Sequence, residues 1–260
     1  MAYSAAEIDR AAQAIAVARN TRAEIALPDG LPPLERDDAY RVQTRVNELL
    51  MPPGATVAGF KVSGMQKASG DRPKIIVKPL VAPLWAHRVH ASGVALDGRQ
   101  HRTLGLETEV CLRLGVHGRG DAARYEIVGA LPSFELVERR QGRFATAADV
   151  NLMIADSIAN VGIILGEERA ALPGDILDTI ASISRNGEVV LERRIGDRLE
   201  DPRQALDVLK AALADMDWVV PDGALLLTGL LTTELWLEPG DVGVGVIGSL
   251  GTVSASLQPQ

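Results

Sequence analysis

The segment LGLETEVCLRLG, residues 104–115, most constrains what this chain can become. Side chains of a strand alternate between faces, so Leu106, Thr108, Val110, Leu112 and Leu114 share one side. Glu107, Glu109, Cys111 and Arg113 then share the other. The segment reads as a buried strand, yet its second face carries two carboxylates. Such groups repel one another and are costly to bury without a partner. Either that face is wet, or the rest of the chain supplies the partner.

Periodicity places this strand in an α+β chain. Residues 4–22 are expected to be helical, because Ser4 and Glu7 have capping-box spacing and Ile8, Ala11, Ala12, Ile15 and Ala16 form an apolar stripe. After a Pro/Gly-rich linker, a second helix is expected over 37–50, stopped by Met51-Pro52-Pro53-Gly54. Residues 57–64 read as a short strand and 75–85 as extended and Pro-interrupted. The end of 126–138 reads as a strand, and 151–166 runs from helix into strand. Asn186-Gly187 between strand-like runs marks a hairpin. Residues 202–214 suggest a helix, and the tail is glycine-rich and strand-like. This order is neither regular βαβ alternation nor a repeat. It predicts an N-terminal helical region, residues 1–55, joined to a larger, irregular β-rich domain, residues 56–260.

Composition removes several function classes. A net charge of −7 over 260 residues argues against a nucleic-acid or anionic-membrane surface. No run of about 18–20 apolar residues occurs, so no transmembrane helix is expected. The opening MAYSAAEIDR lacks the basic start and apolar run of a secretory signal. The single cysteine rules out an intramolecular disulfide and a cysteine-rich zinc site, and it fits a reducing compartment. A cytoplasmic protein is expected.

Glu107 and Glu109 lead the candidates for chemistry. Their Cα atoms stand about 6.5–7 Å apart in a strand rising ~3.3 Å per residue, so both carboxylates can converge on one hard cation such as Mg²⁺. A third ligand is sought in ALPSFELVERR, where Glu135 sits among apolar residues and Glu138 opens a charged run; the apolar setting favours Glu135. Spacing alone leaves open a solvated edge-strand face, the commoner origin of such acid pairs. Lys61, in VAGFKVSG, needs an anion or a lowered pKa if buried, which suits proton transfer or a substrate carboxylate. The alternative is a lysine snorkelling to water. Asp156, within LMIADSIAN, either orients substrate or water or serves as a helix cap beside Ser157.

Other signals are weaker. His87 and His90 have HxxH spacing without a paired acid or cysteine motif, and His101 and His117 lie in polar, exposed-looking contexts. Cys111 reads as packing. GDVGVGVIGSLG lacks the following helix and lysine of a phosphate-binding loop, and no G-x-S-x-G elbow appears.

Taken in order, DAYRVQ, GFKVSGM, LETEVCLRLG, LPSFELVERR, IADSIANVG, SRNGEVV and LTGL…LEPGDV resemble a known group over residues 5–256. That group is the 2-keto-4-pentenoate hydratase and 4-oxalocrotonate decarboxylase group of the fumarylacetoacetate hydrolase superfamily. The resemblance implies that Glu107, Glu109 and Glu135 bind Mg²⁺ or Mn²⁺. It places Lys61 on the catalytic lysine, and Asp156, Ser157 and Thr228 on substrate-binding positions. It also implies a mixed β-roll/barrel core, a homo-oligomer, a small-molecule 2-oxo acid substrate and scope for a pathway partner enzyme.

The chain departs from the pattern after the lysine, where it reads Val62-Ser63-Gly64-Met65-Gln66 and then a short basic stretch whose one acid is Asp71. It departs again at Glu138-Arg139-Arg140, where a D-S-R element is usual. These departures bear on reaction and substrate more than on the metal ligands. The implied activity is a metal-dependent hydratase of a 2-hydroxy-2,4-dienoate or 2-oxo-enoate in catabolism of aromatic or related compounds. Alternatives on the same metal site are a 4-oxalocrotonate-type decarboxylase and an acylpyruvate C–C hydrolase. From another class comes a non-catalytic oxo-acid-binding or assembly partner.

Overall fold

Helix formation at the N-terminus follows from its caps. In the computed structural model, which describes residues 2–67, 76–118, 120–142 and 146–259, α1 spans Ala5–Thr21 and Ser4 and Glu7 form the expected capping box. α2 spans Arg36–Leu50 and stops at Met51, just before Pro52. Asp71 lies outside the described residues. The apolar stripes of both helices do not pack only on each other. Ile8, Ile15, Val42 and Val46 share a core with Leu80 and Ala82 of β2 (Leu80–Trp85) and with Val150 and Ile154 of α3 (Ala147–Ala155).

The remaining elements in chain order are β1 (Val57–Ser63), β3 (Val89–Ala91), β4 (Val94–Leu96), β5 (Leu104–His117), β6 (Arg124–Val137) and β7 (Asn160–Leu165). Then follow β8 (Ile180–Arg185), β9 (Glu188–Arg194), α4 (Gln204–Asp215), β10 (Ala224–Leu227), β11 (Leu235–Leu237), β12 (Val242–Ile247) and β13 (Gly251–Leu257). Asn186-Gly187 turns β8 into β9 with φ of 52° and 87°, as that dipeptide demands. All of Arg124–Val137 is strand, not only its end, because it pairs with β5 along nearly its whole length.

Two mixed sheets result. The larger runs β2-β1-β10-β5-β6-β7-β3, with β11 also pairing to β5, and the smaller runs β4-β13-β12-β8-β9. They face one another through Leu106, Phe134 and Ile164 on one side and Ile183, Val253 and Ala255 on the other. The glycines of GDVGVGV have a packing reason. A Cβ on Gly243 would lie 2.4 Å from Leu106 Cδ1, and one on Gly245 would lie 2.8 Å from Phe134 Cε1. α4 covers the other end of the large sheet, where Leu206 and Leu209 join Phe60, Val62, Leu112 and Leu226. With Phe60 and Val62 committed there, Lys61 is turned to the opposite face of β1.

Candidate metal centre

The long β5–β6 pair creates the centre. Its register sets Glu107 directly opposite Glu135 and Glu109 opposite Ser133. Like charges opposed across a ladder are destabilising, so this pairing calls for a cation. β10 would have to run beside Glu109 to seal the sheet, but it ends at Leu227, opposite Cys111. Past that end the chain stays alongside β5 through Thr228 and Leu231, whose N–H groups donate to Val110 and Thr108 carbonyls. Gly229, at φ 109°, turns its own N–H inward to donate to Glu109 Oε2 at 2.8 Å.

One ligand oxygen from each of Glu107, Glu109 and Glu135 falls within 4.8 Å of the others, the one such acid, His or Cys group among the described residues. Glu109 and Glu135 are buried, and Glu107 is the most open of the three. Lys61 is 3% exposed and reaches across the gap to Glu135 Oε1 at 2.6 Å. A snorkelling lysine is therefore excluded. Asn160 Nδ2 donates to the same Glu135 oxygen at 2.9 Å, while Glu135 Oε2 is buried with no hydrogen-bond partner.

Electrostatics follow from counting: three buried or half-buried acids face one lysine. Burial, then the Glu135 charge, push the Glu107 carboxyl up to about 8 against the pull of Lys61. Burial and Glu135 hold Glu109 well above the usual carboxylate range too. Burial opposes the charge on Lys61, but Glu135, Glu107 and Glu109 together outweigh it and raise its pKa. The carboxylates are short of positive charge.

The left-handed turn after α3 ties this centre to the helical core. Ser157, Ile158 and Ala159 have φ of 54°, 54° and 61°, a conformation that costs a non-glycine residue about 1–2 kcal/mol. Several contacts hold the turn. Ile158 is buried among α1, α2 and α3, the Ala159 carbonyl accepts from Glu138 N, and Ser157 Oγ donates to Asn47 Oδ1 at 3.2 Å. What it presents to the centre is the Ile158 carbonyl, which accepts from Lys61 Nζ at 3.4 Å, and then Asn160.

The other sequence candidates are placed differently. Asp156 ends α3 and accepts from Arg140 Nε at 2.7 Å, so its carboxylate is spoken for by an arginine. Thr228 is fully buried, and its hydroxyl donates to the Val110 carbonyl at 3.0 Å. Glu138 does not open a solvated run. It is 5% exposed and accepts from Arg102 N and Arg140 Nη1. His101 is half-buried against Glu138 at 3.2 Å rather than free in solvent. Sequence reasoning did not single out Asn160, the Ile158 carbonyl or the Gly229 N–H. An asparagine inside an apolar run was a usable signal, but the two backbone groups carry none.

The chain is similar to known proteins in sequence and in fold. The chain is 24% identical over 210 residues to the 4-oxalocrotonate decarboxylase of Pseudomonas sp. (strain CF600), 78% of each chain. It is 29% identical over 126 residues to that of Pseudomonas putida, 48% of this chain and 47% of the other. Among solved structures, 4-oxalocrotonate decarboxylase from Pseudomonas putida G7, complexed with magnesium and adipate, superposes with a TM-score of 0.83 over 98% of both chains, at 22% identity. The fold is of the fumarylacetoacetate hydrolase type. A fumarylpyruvate hydrolase from Pseudomonas aeruginosa, in complex with Mn²⁺ and pyruvate, shares it at a TM-score of 0.51 and 14% identity, over 77% of this chain and 89% of that one. No model of a known protein family matches the chain. Both curated relatives carry the name of the reaction that the sequence reading placed second, not of the hydratase it placed first. No described helix is long and apolar enough to cross a membrane.

Proposed function

We propose that the chain is a divalent-metal-dependent enzyme acting on a small 2-oxo acid, and that its reaction is decarboxylation of a 2-oxo-3-enedioate. The observation that carries this reading is the buried Glu107–Glu109–Glu135 cluster with Lys61 at 2.6 Å from Glu135. An all-oxygen donor set suits Mg²⁺ or Mn²⁺, and the partnerless Glu135 Oε2 is a ligand atom in want of a cation. A bound cation supplies a Lewis acid for the 2-oxo group.

The protein's own groups do the rest. Gly229 N–H and Asn160 fix the orientation of Glu109 and Glu135. Loss of CO₂ leaves its electron pair on the conjugated 2-oxo oxygen, and Lys61, kept cationic by the carboxylates and oriented by the Ile158 carbonyl, supplies the proton that the resulting dienolate takes up. A dioic substrate needs a second anion partner, and Arg198 fits that part. Its Nε is buried without an acceptor, and its charge is felt at Glu107. Thr228, Asp156 and Ser157 hold the walls from behind. The hydratase reading keeps the same metal and lysine but has no need of Arg198.

The test is to supply Mn²⁺-loaded protein with 2-oxohex-3-enedioate and with 2-hydroxypenta-2,4-dienoate, following CO₂ release and dienol absorbance. Release of CO₂ that Lys61→Met abolishes and Arg198→Gln weakens through KM supports the decarboxylase. Consumption of the dienoate alone makes the protein a hydratase. Turnover of neither, with bound metal verified, overturns both.

A further inference from the structure

A second concentration of charge lies away from the acids. A cleft of about 750 Å³ opens between the end of α1, strands β3 and β4, the Gly98–Gln100 turn and the ends of β6 and β7. Five arginines line it: Arg19, Arg22, Arg88, Arg99 and Arg140. The acids facing them are Asp97 and Glu138, with Asp156 behind Arg140. Positive charge is in excess by two in a chain whose net charge is −7. None of Glu107, Glu109, Glu135 or Lys61 reaches this cleft.

Two of the arginines are unspent. The Arg19 side chain is 8% exposed, and its Nη1 is buried with no hydrogen-bond acceptor. Its ion-pair oxygen, Asp156 Oδ1, stands 3.7 Å away, beyond hydrogen-bond reach, and is itself buried without a hydrogen-bond partner, so the pair is attracted but not joined. Arg88 forms no ion pair among the described residues; its Nε donates to His87 Nε2 at 3.4 Å. By contrast Arg140 is used up on Asp156 and Glu138, and Arg99 is paired to Asp97. Two carbonyls in the last turn of α1, those of Ala18 and Arg19, which would repel an anion, accept from the N–H groups of Ala23 and Arg22. Arg19, with its side chain buried, and Arg88, half-buried, repel one another and Arg140 and are relieved by an anion, and their planar forks match carboxylate and phosphate oxygens.

We infer that this cleft binds a small dianion, a dicarboxylate or a phosphate, with Arg19 and Arg88 as its charged contacts. The site is separate from the carboxylate centre and does not depend on the reaction assigned there.

The experiment is calorimetric titration of the full chain, in Mg²⁺ at low salt, with succinate and with inorganic phosphate. The expected result is one saturable site for at least one of the two, and which one binds names the source of the anion. Arg88→Gln, which breaks no ion pair, should weaken binding about tenfold, or ~1.4 kcal/mol, with an unchanged melting temperature. Glu107→Gln should leave this binding as it is. Absence of binding by both anions overturns the proposal. So does binding that survives Arg88→Gln and disappears in Glu107→Gln, because the anion would then sit at the carboxylate centre.

Discussion

Two buried clusters of charge lie on either side of the left-handed turn at Ser157–Ala159, and they are opposites. On one side Glu107, Glu109 and Glu135 share one lysine; on the other Arg140 and, at 3.7 Å, Arg19 share Asp156, Arg140 also pairs with Glu138, and Arg88 stands beside them. The difference is in how completely each is satisfied. Arg140 itself is matched by Asp156 at 2.7 Å and Glu138 at 3.1 Å, while Arg19 Nη1 and Asp156 Oδ1, 3.7 Å apart, are left without hydrogen-bond partners. In the carboxylate cluster one oxygen of Glu135 has no partner, and two acids have pKa values driven upward. The Arg140 pairs fix the fold at the heart of their cluster and leave only its rim, Arg19 and Arg88, for a ligand, whereas the carboxylate cluster lacks a cation at its centre.

Mutations should therefore act with opposite signs on the two sides. Arg140→Met leaves Glu138 and Asp156 buried without their cation and should destabilise the protein by about 3–5 kcal/mol in urea melts. Glu109→Gln keeps an acceptor for Gly229 N–H and removes one repelling charge. In metal-free protein near pH 8 it should raise the melting temperature. If both substitutions destabilise alike, the contrast between the clusters fails.

A cation should reverse the second result. Mn²⁺ at a hundredfold excess over its Kd should add about 2.7 kcal/mol to the wild type, read as a melting shift. That shift should vanish in Glu135→Gln and be small in Glu109→Gln. A conservative disturbance of the arginine side, Arg88→Gln, should leave it intact. A Mn²⁺ shift that survives Glu135→Gln would place the metal elsewhere.

Proton and metal compete for the same oxygens. Glu107 titrates near 8 in the folded chain and within the ordinary carboxylate range when unfolded, so the native state holds the extra proton between those limits. The stabilising contribution of its protonated form is full below the unfolded pKa and is lost as pH rises through about 8. Metal-free protein should thus weaken from pH 5 to about 8, while Mn²⁺ affinity rises over the same interval. Titrations at several pH values check both slopes. A flat affinity would mean that Glu107 is already ionised without metal.

The sequence carried the acid side of this contrast well and the arginine side poorly. Alternation along LGLETEVCLRLG put Glu107 and Glu109 on one face, and apolar neighbours separated Glu135 from Glu138. Both signals are local, and a strand's faces are a local property. Glu138-Arg139-Arg140 looked solvated because charge normally means water. In the fold only Arg139 lies outward, over the Trp236 ring, while its two neighbours find partners in Asp156, Arg102 and His101. Those partners come from distant segments, so periodicity could not reveal them. The strained turn was equally hidden, since nothing in Ser157-Ile158-Ala159 favours a left-handed backbone.

Cys111 gives the smallest and most local test. It shares the Glu109 face of β5 but lies under the end of β10, opposite Leu227, in a fully buried cluster with Leu84, Leu131 and Ile163. Burial pushes its thiol up to about 12, so at pH 8 only about one part in 10⁴ is thiolate. The polar floor of the carboxylate centre therefore ends within one step along this face of β5, between Glu109 and Cys111. A disulfide reagent should label the native protein only at the rate of global unfolding, with or without Mn²⁺. Cys111→Ala should cost little, while Cys111→Ser should cost about 1–3 kcal/mol by burying a hydroxyl in an apolar cluster. Rapid labelling of the metal-free protein that Mn²⁺ suppresses would mean the carboxylate cluster opens its own floor when its charges go unmatched. The rigid wall behind Glu109 would then be a property of the loaded protein alone.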